Sequence, residues 1–149
     1  MEQKESRRVT MTKLLLKTAL MELMQEKEFD QITIKELCER ADLNRTTFYL
    51  HYEDQRSVLK DIEKETMEKT VNFMKNVSPD ADTIDLVEAF LSYVKENALV
   101  FRTLMLRSDS KPFRQEFIVY TLGNIRGNLP YYGDPMHERY ILTLSLIHI

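Results

Sequence analysis

Residues 32–59 read Ile-Thr-Ile-Lys-Glu-Leu-Cys-Glu-Arg-Ala-Asp-Leu-Asn-Arg-Thr-Thr-Phe-Tyr-Leu-His-Tyr-Glu-Asp-Gln-Arg-Ser-Val-Leu, and three helix starts follow closely in them. Thr33 with Glu36 three residues later has the pattern of a capping box, and Ile32 can pack on Leu37 as a hydrophobic staple, so a helix begins near Ile34. It is short. After Ala41 the chain turns through Asp42 and Leu43, and Asn44 can cap a second helix in which Phe48 finds a staple partner in Leu43. Two short capped helices with a turn of three or four residues between them make a helix-turn-helix, whose second helix is the usual reader of the major groove. Asp54 can cap a third, longer helix.

Outward from this stretch the pattern stays helical. Met11, Leu14, Leu15, Leu20, Leu23 and Met24 recur at the spacing of one helix face from Val9 to Gln25, with Lys13, Lys17 and Glu22 opposite. Phe29, in a polar break, is placed to plug the core between this helix and the next two. The helix from Asp54 runs through Val58, Leu59, Ile62, Met67, Val71, Phe73 and Met74 and should end near Asn76. Ser78, Pro79 and Asp80 break the chain, and Asp82 or Thr83 restarts it as an amphipathic helix that stops near Asn97. A short apolar helix from Leu99 to Leu106, a loop from Ser108 to Pro112, a helix from Phe113 to Ile125 and a last helix from Met136 complete the expectation. No alternating strand pattern persists, so the fold class is all-α, with a helix-turn-helix domain at residues 1–53 and a helical domain at residues 54–149. Residues 142–149 are almost all apolar, without glycine, cap or basic last turn, which reads as a truncated or non-native helix end.

Composition narrows the chemistry. The net charge is −3, and residues 1–60 carry eleven Lys and Arg against eleven Asp and Glu, so a general positive field does not exist. Contacts to nucleic acid must come from a few placed cations and helix N-termini. Lys4, Arg7, Arg8, Lys13 and Lys17 concentrate charge at the start, as a solvated tail or as an arm on the DNA backbone. The one cysteine, Cys38, fits core packing; the three histidines are far apart, and no nucleophile triad, carboxylate pair or phosphate-cradling glycine loop is present. An enzyme, a metal and a cofactor are therefore not expected. No run of apolar residues is long enough to span a membrane, and a cytoplasmic location is expected.

With Asn44 as cap, Phe48 and Tyr52 share the core face of the second short helix, while Thr46, Thr47, Tyr49 and Leu50 face outward, a set suited to phosphate oxygens, base edges and thymine methyls. The residues from Val9 to Ile62 resemble the DNA-binding domain of the TetR family of bacterial transcriptional regulators. The resemblance rests on Ile32 to Leu37, Ala41 to Asn44, the run Thr47-Phe48-Tyr49-Leu50-His51-Tyr52, and Asp54 to Leu59. It implies an operator-binding homodimer whose second domain binds a small-molecule or protein effector. It also implies DNA contacts from Thr33 and Lys35, and from Arg45, Thr46, Thr47, Tyr49 and His51, with Arg45 the best candidate to read guanine. Two positions depart from the family pattern. Asp42 stands where glycine is common, and Gln55 where a phosphate-binding lysine is common, leaving a neutral contact there. The segment from Tyr93 to Asn97 resembles a subgroup, the activators of dihydroxyacetone kinase operons, in which the effector is a protein. Phe73, Phe90, Tyr93, Phe101 and Met105 are candidates for an apolar effector pocket, although aromatics at helical spacing equally form an ordinary core. The alternative to a regulator is a helical protein-interaction module that has kept the fold without binding DNA.

Overall fold

The computed structural model describes residues 7–77, 83–106 and 110–127. Among them are seven α-helices and one 3-10 turn. The chain forms two compact units, Met1–Thr66 and Met67–Ile149, whose boundary falls inside the fourth helix. Among the described residues, no helix is long and apolar enough to cross a membrane.

The first unit holds α1 (Arg7–Glu26), the 3-10 turn Phe29–Gln31, α2 (Ile34–Arg40), α3 (Arg45–Tyr49) and the first half of α4 (Gln55–Asn76). Its core is Leu16, Leu20, Met24, Phe29, Ile32, Leu37, Phe48, Val58, Leu59 and Ile62, all buried. Phe29 takes the plug position expected of it. The buried face of α1 differs from the expected one: Met11 and Leu14 are 55% and 53% exposed, and Thr12, Leu16 and Ala19 go inside. Three successive leucines, 14–16, fit any helix face, so the phase is set elsewhere. Thr12 tolerates burial because its hydroxyl donates to the Arg8 carbonyl at 2.9 Å. Lys17 is half-buried because its ammonium reaches Glu65 at 2.5 Å.

Ion pairs pin α2 at both ends. At its start Lys27 donates to Glu36 at 2.5 Å. At its end the Arg40 guanidinium grips the Glu26 carboxylate by two parallel bonds of 2.8 and 3.0 Å and lies 3.5 Å from Glu22. Glu26 is held below the usual carboxylate range, chiefly by its bond to Arg40. Between α2 and α3 the chain reverses at Asp42, whose φ of 53° lies in the left-handed region. Aspartate bears this better than most residues because its short polar side chain can bond locally.

The second unit holds the end of α4, α5 (Thr83–Glu96), α6 (Ala98–Leu106) and α7 (Lys111–Gly127). The buried positions of α4 step by four through Val58, Ile62, Thr66, Thr70 and Met74. Two threonines therefore occupy positions that counting apolar residues passes over. Thr66 satisfies its hydroxyl on the Ile62 carbonyl at 2.7 Å, and Thr70 lies 3.4 Å from the Tyr93 hydroxyl. Helix α7 starts two residues earlier than expected, with Pro112 in its first turn, where the missing N–H has no helical partner to lose. The helix expected from Met136 and the reading of residues 142–149 lie outside the described residues.

Candidate nucleic-acid interface

Three consecutive caps place the candidate residues. At α2, the Thr33 hydroxyl accepts from the Glu36 N–H at 3.2 Å, and the Glu36 carboxylate accepts from the Thr33 N–H at 3.0 Å and from its hydroxyl at 2.9 Å. With Lys27 as the largest cause and Thr33 next, the Glu36 carboxyl is lowered to about 2. At α3, Asn44 accepts from the Thr47 N–H at 2.7 Å. At α4, Asp54 accepts from both the N–H and the hydroxyl of Ser57 at 2.7 Å, which lowers its carboxyl from the usual range.

These caps distribute the candidates over three adjacent elements. Thr33 is the exposed cap of α2, and its hydroxyl is already engaged in the box. Lys35 is exposed, one turn from Glu39 at 3.7 Å, a surface pair worth only about 0.3–0.5 kcal/mol. Arg45 is the first residue of α3 and exposed; among the described residues no ion pair holds it. Thr46 is exposed and Thr47 half-buried. Tyr49 is 58% exposed, its ring meeting that of Phe48 edge to face at 5.4 Å. His51 lies past the end of α3, half-buried in the turn, with its N–H donating to the Phe48 carbonyl at 2.9 Å. Gln55 opens α4, and its side-chain amide donates to the Ile32 carbonyl at 3.1 Å, tying the start of α4 to the start of α2.

Below this surface lies a polar joint. The Tyr52 hydroxyl donates to the Asp61 carboxylate at 2.6 Å, and the Lys17 ammonium sits 3.7 Å from the same carboxylate oxygen and 2.5 Å from Glu65. One residue from α1, two from α4 and one just after α3 are thereby joined. Arg56 stacks over the Phe29 ring at 4.2 Å and lies 3.9 Å from Asp30. Reasoning from sequence missed both features. Capping gives a signal at three-residue spacing, whereas Lys17 and Glu65 are 48 residues apart and no local pattern links them.

Residues 15–62 match the family described as bacterial regulatory proteins, tetR family. Residues 15–62 are therefore a TetR-family N-terminal domain. The matched segment runs from α1 through the first turns of α4, taking in all three caps and, of the polar joint, Lys17, Tyr52 and Asp61 but not Glu65. A Bacillus subtilis (strain 168) protein described as an uncharacterized HTH-type transcriptional regulator, YxbF, is 31% identical over 104 residues, which are 66% of this chain and 27% of that protein. The chain thus spans about a quarter of the length of the curated relative it matches. The family so described is one of regulatory proteins.

In the second unit the effector-pocket candidates mostly pack on one another. Phe73 stacks on Tyr93 at 4.4 Å, Tyr93 meets Phe101 at 5.6 Å, and Phe101 and Phe90 both approach Phe117, at 5.3 and 6.3 Å. Met105 is half-buried, and its carbonyl accepts from Arg114 at 2.7 Å. A groove of about 440 Å³ opens along α5 and is lined by Ile84, Val87, Glu88, Leu91, Ser92 and Lys95, none of them among the candidates. Among the described residues no group of three His, Cys, Asp or Glu could hold a metal ion.

Proposed function

We propose that the chain is a sequence-specific DNA-binding transcriptional regulator that grips an operator as a homodimer, with an effector setting its affinity. The observation that carries this reading is the outward side of α3. Asn44 caps it, Phe48 anchors it from below, and Arg45, Thr46 and Tyr49 stand exposed with polar groups suited to bases and phosphates. Arg45 reads a guanine by a bidentate contact worth about 1–3 kcal/mol of discrimination. Lys35 and Tyr49 hold phosphates, Thr33, Thr46 and Thr47 complete the contacts around them, and His51 and Gln55 steady the backbone at the rim. Residues 1–53 carry recognition in this reading, and residues 54–149 carry the effector and the dimer contact. Two copies present two reading helices to half-sites about 34–36 Å apart, or a multiple of that. An effector of small-molecule or protein type then acts only by favouring one spacing of those helices over another. The protein works in the cytoplasm, where the DNA is.

The test is fluorescence anisotropy of the full chain against promoter DNA next to its own gene and against scrambled duplex, at low and moderate salt. Preferential binding that weakens on adding salt, by no more than a few phosphate contacts produce, is expected. No binding at low salt would overturn the reading in favour of a helical protein-interaction module.

A further inference from the structure

The outward side of α3 ends in a side chain that protein packing does not use. An α-helix turns about 100° per residue, so with Phe48 pointing into the core, Thr46 and Leu50 both point roughly 160° away from it. The backbone at Leu50 continues the right-handed turn, with φ −71° and ψ −19°, and its N–H donates to the Thr46 carbonyl at 3.2 Å. Leu50 thus stands one turn beyond Thr46 on the same line, at the apex of the helix. It is 74% exposed.

A leucine held in water adds little to folding; what singles this one out is its place on the outward line of α3, beside Arg45 and Thr46, the residues proposed to meet base edges. Its exposed neighbours on α3 are Arg45, Thr46 and the 58% exposed Tyr49, so the apolar surface there is small and set among polar groups. Isolation of this kind does not suit a protein partner, which needs a connected patch. It suits the major groove, where the apolar feature of the base edges is the 5-methyl group of thymine. We propose that Leu50, with the Thr46 methyl beside it, reads a thymine 5-methyl group at one base pair of each half-site and is a specificity-determining residue. This rests on the DNA-binding reading above.

Uracil differs from thymine by that methyl alone and keeps the same hydrogen-bonding edge. The preferred half-site is first selected from a randomised duplex pool with the full chain, and each thymine in it is then replaced singly by deoxyuridine. At one thymine per half-site the parent protein should lose about four-fold in affinity, the effect of leaving one methyl group unburied. Leu50→Ala should bind thymine and uracil equally there, while Leu50→Met, which keeps an apolar tip, should retain the preference. Because Leu50 is exposed, both variants fold, as their thermal unfolding will report. A uracil penalty that survives in Leu50→Ala, or its absence at every thymine in the parent, overturns the assignment and leaves DNA binding standing. A parent protein that selects no duplex at all overturns both.

Discussion

Replacing Tyr52 by phenylalanine removes one oxygen from the joint that ties α4 to the residues after the reading helix. The ring stays, packed at 6.1 Å from Phe48 in a buried position, so no cavity opens. What is lost is the 2.6 Å bond to Asp61. A hydrogen bond to a charged group contributes about 1.5–3 kcal/mol net. The Asp61 side chain is 34% exposed, however, and water can replace the lost donor. Lys17, 3.7 Å away, also remains to neutralise the carboxylate. The cost should therefore fall at the low end, about 1–2 kcal/mol. For a unit of 60–100 residues each kcal/mol lowers the unfolding midpoint by about 4–8 °C, which circular dichroism resolves easily. Lys17→Met should show the same joint from the other side, and the double variant should lose less than the sum of the two, by at least about 0.5 kcal/mol. An unchanged midpoint for Tyr52→Phe, or strictly additive losses, would refute the claim that the three side chains act together.

The caps make a second test. Thr33→Ala should destabilise by about 0.5–2 kcal/mol in chemical unfolding, since it removes the hydroxyl that satisfies the Glu36 N–H. The depressed Glu36 carboxyl should add stability that is complete above its ordinary value of 4.5 and lost as the pH falls toward about 2. An acid titration of Glu36→Gln lacking that loss would agree, and one identical to the parent would not. Asp42→Val puts a β-branched residue at φ 53° and should cost about 1–2 kcal/mol, whereas Asp42→Gly should stay within about 1 kcal/mol of the parent. On DNA, Arg45→Ala should lose affinity for the cognate duplex and little for scrambled duplex, while Lys35→Ala should weaken both alike; equal losses for Arg45→Ala would remove it from base reading.

What the sequence made legible is local. Thr33, Asn44 and Asp54 all cap the helices expected of them, because a cap bonds its own chain three residues on and needs no distant partner. The turn through Asp42 was legible as well, and its left-handed φ agrees with the glycine that the family resemblance puts there. The face of α1 was not, because Leu14, Leu15 and Leu16 fit several phases and the choice is made by packing of Leu16, Leu20 and Met24 against residues distant in sequence. Burial of Thr66 and Thr70 was hidden likewise, since a threonine that bonds a carbonyl one turn back, as Thr66 does, enters a core that its composition argues against. On α3, the exposure of Thr46, Tyr49 and Leu50 could be read from helical angle alone, while Thr47, placed with them, is half-buried. The engagement of Gln55 with Ile32 could not, as it joins residues 23 apart.

The same distinction governs how salt acts on the protein. The elements around α3 are tied together by part-exposed ion pairs, Lys27 with Glu36, Arg40 with Glu26, and Lys17 with Asp61 and Glu65. Added salt therefore acts twice, on these pairs and on any contact with DNA phosphates. The magnitudes separate the two. A part-exposed pair contributes about 0–1 kcal/mol, so weakening it moves an equilibrium by at most about five-fold. Each phosphate neutralised adds about −0.9 to the logarithmic salt slope, and several together reach orders of magnitude between 50 and 200 mM. With zero net charge over residues 1–60, no diffuse field adds to that slope. A steep slope would then count discrete contacts, and few cations stand on the α2 and α3 surface to make them, Lys35 and Arg45 foremost. In the proposed reading, affinity for an operator therefore leans on groups that salt screens little: the Arg45 fork on a base edge, the threonine hydroxyls, and the apolar tip of Leu50.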